Sequence, residues 1–234
     1  VRYSLTLVLF DIDGTLVNSA GAGRRAMERA LQAIFGCSGS KSYRYDGKTD
    51  RQIVRELMRS EGFADTEIDL RMPAVLEAYL ANLQEELAAS CDRVHALDGV
   101  AELLGAIAGR SHLVPGLLTG NLERGARMKL SAAGLEPERF RIGAFGSDHE
   151  DRFQLPPIAL ARARRAIGAS VAADRVVIVG DTPNDIACGR PLGARAIAVA
   201  TGHYTVDELA RHSPAAVFRD LSDTEAVLAA IENA

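Results

Sequence analysis

Hydrophobic positions along the 234 residues follow two rhythms. Short, nearly unbroken apolar runs occur at LTLVLF (5–10), LVPGLLT (113–119), RIGAFG (141–146), RVVIVG (175–180), ARAIAVA (194–200) and AAVF (215–218). Their length suits strands, and the lack of polar alternation suits strands buried on both faces of a parallel sheet. Between them lie stretches of helical length and spacing at 121–133, 156–167, 183–192, 205–212 and 222–232. From residue 97 onward strand and helix alternate, which predicts a doubly wound α/β sheet covered by helices.

The interval from about 20 to 92 breaks that rhythm. It holds no convincing strand and reads as three helical segments, GRRAMERALQAIF, DRQIVRELMRSEG and DTEIDLRMPAVLEAYLANLQEELAAS. In the first, Met27, Leu31 and Ile34 recur at three- and four-residue spacing, with Arg24, Glu28 and Arg29 off that stripe. The pattern predicts an α/β core from residues 1–19 and 93–234, with a helical cap domain inserted over 20–92. The other reading is a set of crossover helices in one enlarged domain, but roughly 70 residues exceed an ordinary crossover. Two prolines disturb the elements: Pro115 removes a ladder donor inside a strand run, and Pro191 breaks or kinks the end of the 183–192 helix.

Composition narrows the class of partner more than the fold. Hydrophobic residues make up 47% and charged residues 25%, as in ordinary globular proteins. A net charge of -4 and a pI near 5.8 argue against a nucleic-acid binder, which normally carries a basic face. Cys37, Cys91 and Cys188 are odd in number and far apart, so they specify neither a disulfide framework nor a zinc site and are expected to be reduced packing thiols. No apolar run approaches the roughly 20 residues that span a bilayer. The opening VRYSLTLVLFDIDG runs into a strand without a small-residue cleavage site. A cytoplasmic protein without a membrane partner is expected.

Ligands of open α/β sheets collect beyond the carboxyl ends of the strands, so the polar residues there carry the chemistry. The first strand ends in Asp11-Ile12-Asp13-Gly14-Thr15, the second in Thr119-Gly120-Asn121, and the fourth in Gly180-Asp181-Thr182-Pro183-Asn184-Asp185. Carboxylates converging on one rim repel one another unless a cation neutralises them. Oxygen ligands without His or Cys select a hard ion, for which Mg²⁺ is the expectation. The triplet DxD alone also fits a turn or a loop cap; its joint occurrence with the motifs at the two other strand ends shifts the balance.

DxDGT[LV], then TGN, then GDxxxD after an apolar strand resembles the haloacid dehalogenase superfamily of phosphohydrolases, with the motifs in that family's order over nearly the whole chain. The helical insertion resembles the cap of its phosphoglycolate phosphatase and phosphoglucomutase branch. The resemblance implies that Asp11 is a nucleophile forming an aspartyl-phosphate and also a ligand of Mg²⁺. It implies that Asp13 is the general acid and base, its backbone carbonyl completing the metal sphere, and that Asp181 is the third protein ligand. The family's dehalogenases lack an acid at the second position, so Asp13 favours phosphate esters over carbon–halogen bonds. Gly14 allows the turn that follows.

Thr119 is expected to bind a phosphoryl oxygen, with the Gly120 and Asn121 amides beside it at a helix start, although TGN alone also fits a plain helix cap. The family's usual lysine is absent after the third strand, where the sequence reads GSDHEDRFQLPPIALARARRAIG. Arg152 is its expected replacement; Arg162, Arg164 and Arg165 read as a solvated helix face. Asp185 is expected to support the site by orienting a water or the positive side chain, or else is simply an acid in a first helical turn. In the insert, the turn YRYDGKTDRQI (43–53) makes Lys48 the expected substrate contact. His149 reads as a solvated loop residue, and His95, His112, His203 and His212 belong to no motif.

These residues predict an Mg²⁺-dependent phosphatase acting on a small phosphorylated metabolite. A phosphomutase would pass the same phosphate to a second hydroxyl, and nothing in the insert excludes it. A receiver-like phospho-acceptor module would share the acidic pocket, but it has no use for Asp13 or for a cap. Neither the organic part of the substrate nor an oligomeric state is written in these motifs.

Overall fold

The computed structural model describes residues 5–167 and 171–233; the first four residues of the expected core domain and its last, Ala234, lie outside them. Six parallel strands form the main sheet: β1 (Thr6–Phe10), β4 (Leu113–Thr119), β5 (Ile142–Phe145), β6 (Val176–Gly180), β7 (Arg195–Val199) and β8 (Ala216–Phe218). Their order is β5-β4-β1-β6-β7-β8, so the first strand lies inside the sheet and the chain winds outward from it in both directions. A two-stranded antiparallel ladder joins β2 (Val17–Asn18) to β3 (His95–Ala96).

Alternation along β1 shows why its apolar run is continuous. Leu7 and Leu9 face one side, with Leu155, Ala159, Leu160 and Ala163 of helix α6 (Leu155–Ile167). Val8 and Phe10 face the other, in the cluster containing Leu103, Leu104 and Ile107 of α4 (Val100–Ala108) and Val227, Leu228 and Ile231 of α9 (Thr224–Glu232). All five residues of β1 are buried, and each apolar side chain withdrawn from water contributes about 1.5–3 kcal/mol. Helix α4 lies outside the expected helical stretches, although Val100, Leu103, Leu104 and Ile107 recur at three- and four-residue spacing.

Both prolines have a place. Pro115 stays within β4 opposite Val8, but the ladder to β5 begins only at Gly116, so it lies where the strand has a single neighbour. Pro191 does more than kink: the expected 183–192 helix is instead α7 (Pro183–Cys188) followed by a separate 3₁₀ turn at Arg190–Leu192. The missing N–H of Pro191 cannot continue the helical ladder. Pro183, in contrast, starts α7 where no donor is needed, and Thr182 closes a capping box with Asp185.

The interval 20–92 holds α1 (Ala22–Phe35), α2 (Asp50–Ser60) and α3 (Asp65–Ala89). Arg25 and Arg29 of α1 pair with Glu85 and Glu86 of α3, over an interior that includes Met27, Leu31, Leu57, Ile68 and Leu83. These belong to the same apolar cluster as Val8 and Phe10. Helix α5 (Glu123–Ala132) joins it through Ala126 and Leu130. The short α8 (Val206–Ala210) covers the β7–β8 end with Leu209. Cys188 is buried and Cys37, half-buried, packs against the main apolar cluster, while Cys91 is exposed, which corrects the packing reading for Cys91.

Candidate active site

Strand register assembles the site. Phe10 pairs with Leu117 of β4 and Val179 of β6, and the Asp11 amide donates to the Val179 carbonyl at 2.9 Å. The strand ends therefore finish level, and Asp11, Thr119 and Asp181, distant in sequence, converge. Gly14 turns the chain away at φ +77°, and a Cβ there would stand 2.8 Å from Asp181 Cγ. Thr15 Oγ1 donates to Asp181 Oδ1 at 3.3 Å.

Asp11, Asp181 and Asp185 bring carboxylate oxygens within 4.8 Å of one another, all three residues being buried. Burial pushes the Asp11 carboxyl up to about 6, Arg152 opposes this, and Asp185 adds to it. Burial, then the charges of Asp185 and Asp11, hold Asp181 well above the ordinary carboxylate range. Arg152, from the 3₁₀ turn that precedes α6, is 3% exposed. Its Nη2 lies 3.3 Å from Asp11 Oδ2, donates to Leu118 O at 3.2 Å, and bonds Asp185 Oδ1. The other Asp185 oxygen accepts from the Thr182 amide at 2.9 Å and hydroxyl at 2.6 Å. Asp185 is thus saturated by the cap and by Arg152, while Asp11 and Asp181 keep oxygens for a cation. An oxygen-only set of this kind fits a hard divalent ion.

The three alternative arginines of α6 are engaged elsewhere or exposed. Arg162 grips Asp148 through two bonds at 2.6 and 2.7 Å, Arg164 donates to Val171 O at 3.0 Å, and Arg165 is exposed.

Asp13 stands apart from the acidic cluster. Its Oδ2 accepts from Lys129 Nζ at 2.6 Å and Asn121 Nδ2 at 2.8 Å, and its Oδ1 from Ser19 Oγ at 2.9 Å. Burial would raise this carboxyl, but Lys129, Asn121 and Ser19 together hold it below the ordinary value. Asn121 also donates to Thr119 Oγ1 at 2.8 Å. The start of α5 lies two residues past Asn121, and the Leu122 amide there donates to Asp50 Oδ2 at 2.8 Å. Asp50 is pushed up to about 6 by burial, against the charge of Lys129 and that amide, and Tyr79 also hydrogen-bonds its carboxyl.

The site opens on a cavity of about 480 Å³ whose lining includes Asp11, Asp13, Arg24, Tyr45, Lys129 and Arg152. The turn over residues 43–50 closes one side. Asn184 Nδ2 donates to Gly47 O at 2.9 Å, the Asp50 amide to Gly120 O at 2.9 Å, and Thr49 Oγ1 to Glu150 O at 2.6 Å. Lys48 lines the cavity, but its ammonium is bonded to Glu56 at 2.6 Å and Tyr43 Oη at 2.8 Å.

A family model described as "Haloacid dehalogenase-like hydrolase" matches residues 8–199. The chain belongs to that family. It is 30% identical over 221 residues to an N-acetylmuramic acid 6-phosphate phosphatase of Pseudomonas aeruginosa, covering 94% of this chain and 92% of that protein. It is 27% identical over 219 residues to a phosphoglycolate phosphatase of Rhodospirillum rubrum, covering 92% and 87%. Among solved structures, a hydrolase from Pseudomonas syringae superposes with a TM-score of 0.74 at 23% identity, over 96% of this chain and 98% of that one. A β-phosphoglucomutase from Clostridium difficile superposes with a TM-score of 0.73 at 16% identity, over 98% of each. At such identities these two structures speak for the fold.

Several residues of this haloacid dehalogenase-like site escaped the sequence reading. Lys129 carried a signal: it falls on the stripe of Leu122, Ala126, Leu130 and Ala133, where a charged residue needs a buried partner. Asp50, after Thr49, reads as an ordinary first-turn acid of α2, and only the fold brings it to Leu122. His203, which belongs to no motif, bonds Asp46 at 2.7 Å on the cavity rim. His149 stays on its loop, accepting from the Asp151 amide.

Proposed function

We propose that the protein is an Mg²⁺-dependent phosphatase that hydrolyses a small phosphomonoester through an aspartyl-phosphate on Asp11. The observation that carries this reading is the separation of two carboxylates by role: Asp11 lies with Arg152, Asp181 and Asp185, while Asp13 is held apart on the cavity side by Lys129. One carboxylate meets phosphorus, the other meets the departing oxygen. Asp11, Asp181 and the Asp13 carbonyl would hold Mg²⁺, which when bound screens the nucleophile from the phosphate's charge.

Arg152 and Thr119 orient the phosphoryl group, flanked by the backbone of Gly120 and Asn121. Arg152 lines the cavity, and its permanent charge suits it to phosphate oxygens. Asp13 takes a proton from the monoanion of the entering ester, gives it to the leaving oxygen and then takes one from the attacking water. Asp185 keeps Arg152 in place. Residues 20–92 serve as a cap over the 480 Å³ cavity, with Lys48 at its substrate face.

The curated relatives named above are phosphatases, which favours transfer to water over transfer to a second hydroxyl. Membership in a hydrolase family likewise disfavours a phospho-acceptor module. Phosphate release from a panel of small esters in Mg²⁺ tests the reading. We expect turnover by the native protein, loss of about 10³-fold or more in Asp11→Asn, and a phosphate adduct on Asp11 by mass spectrometry. Isomerised product without phosphate release would establish the mutase instead, and full activity in Asp11→Asn would remove the aspartyl-phosphate altogether.

A further inference from the structure

Lys129 needs a reason to be where it is. Long cationic side chains are seldom fully buried, and this one retains 4% of its exposure while its partner Asp13 retains 39%. A pair serving only the fold would hide both members. Here a buried cation reaches out from α5 to hold a carboxylate that faces the cavity.

The geometry of that grip is specific. The ammonium donates to Asp13 Oδ2 and to Asn121 Oδ1, each at 2.6 Å, and Asn121 Nδ2 returns to the same Oδ2 at 2.8 Å. Three side chains close a ring in which every donor and acceptor is complementary. Gly23 of α1 walls the pocket: a Cβ there would lie 3.1 Å from the ammonium. Both donors on Oδ2 are N–H groups that cannot reverse. Oδ1 meets the Ser19 hydroxyl at 2.9 Å, and a hydroxyl can either donate or accept.

We infer that Lys129 is a positioning residue for Asp13, clamping Oδ2 with Asn121 so that Oδ1 is the oxygen presented to the leaving group. This rests on the phosphatase reading above. In the step it serves, an Asp11 oxygen bonds to phosphorus, the ester P–O bond breaks, and the departing oxygen takes a proton that Asp13 has accepted from the monoanion of the bound ester. In the second step a water oxygen bonds to phosphorus, the Asp11–phosphorus bond breaks, and the water's proton passes to Asp13, restoring both carboxyls.

Proton donation matters most when the leaving group is poor, which separates this role from a structural one. We compare glycerol 2-phosphate, a poor leaving group, with the first-turnover burst of p-nitrophenol from p-nitrophenyl phosphate, a good one. Lys129→Met and Lys129→Gln are expected to lower the glycerol phosphate rate by about 10²-fold and the burst by less than about tenfold, with a small change in KM. Because both rates come from one preparation, their ratio does not depend on how much of the variant is folded. In an Asp13→Asn background, adding Lys129→Met should leave the ratio unchanged. Equal losses on both substrates, or a further ratio change in that background, would overturn the inference alone. A native protein that turns over neither ester would overturn the phosphatase reading and this inference with it.

Discussion

Arg152 touches both Asp11 and Asp185, and it is the residue proposed in place of the lysine that the family resemblance leads one to expect. A guanidinium fits here because one planar group serves several partners: Nη2 meets Asp11, Asp185 and the Leu118 carbonyl, and the side chain still lines the cavity. Arg152→Met would strand Asp185, 1% exposed, without its cation. Removing one partner of a buried pair typically costs about 3–5 kcal/mol, so a lower melting temperature is expected along with a kcat reduced by at least about 10²-fold. Arg152→Lys keeps the charge as a single point and should recover most of the stability but only part of kcat. If Arg152→Met kept both, this guanidinium would neither secure Asp185 nor bind phosphate.

Elements were legible where apolar runs were long and punctuation was clear, as for β1, β6 and α6, whose ends fall within a residue or two of the expected ones. They were not legible where pairing partners lie far off in sequence: β2 and β3 are two residues each and exist only because Val17 meets Ala96 and Asn18 meets His95. The site divides the same way. Carboxylates at strand ends could be read, whereas Asp50 needed its bond to the Leu122 amide, and the partner of Lys129 needed the packing of α5 against α3, to become visible. Contacts between the 43–50 turn and the strand-end loops are of this second kind, and one of them is testable. Arg55 of α2 holds Glu150 through two bonds at 2.5 and 3.0 Å, next to the Thr49 bond to the Glu150 carbonyl. Glu150→Ala is expected to cost about 1 kcal/mol of closure, raising KM about fivefold with kcat nearly unchanged. Amides of residues 46–50 should exchange faster with deuterium. An unchanged KM with unchanged exchange would mean that this ion pair does not hold the turn down.

At the scale of the whole molecule, a chain of net charge -4 concentrates buried acids at the meeting point of three central strands, and the pH dependence of its stability should show it. Asp11 moves from an ordinary 3.8 to about 6 on folding, chiefly through burial, and Asp181 moves in the same direction. A folded carboxyl with a raised value keeps a proton that the unfolded chain has already released. The stability it contributes is therefore present below about pH 4 and lost as pH rises through about 6. Asp50 follows the same course, and Asp13, held low by Lys129, shifts the opposite way. Mg²⁺ held as proposed would need Asp11 and Asp181 ionised, so its binding would displace whatever protons they hold. Its affinity should rise from about pH 5 to about pH 7, by up to about 1.4 kcal/mol per pH unit for each proton displaced. Melting curves with and without Mg²⁺ across that range should separate as pH increases, and Asp181→Asn should abolish the separation. A gap that stays constant with pH, or that survives Asp181→Asn, would place the metal away from these aspartates.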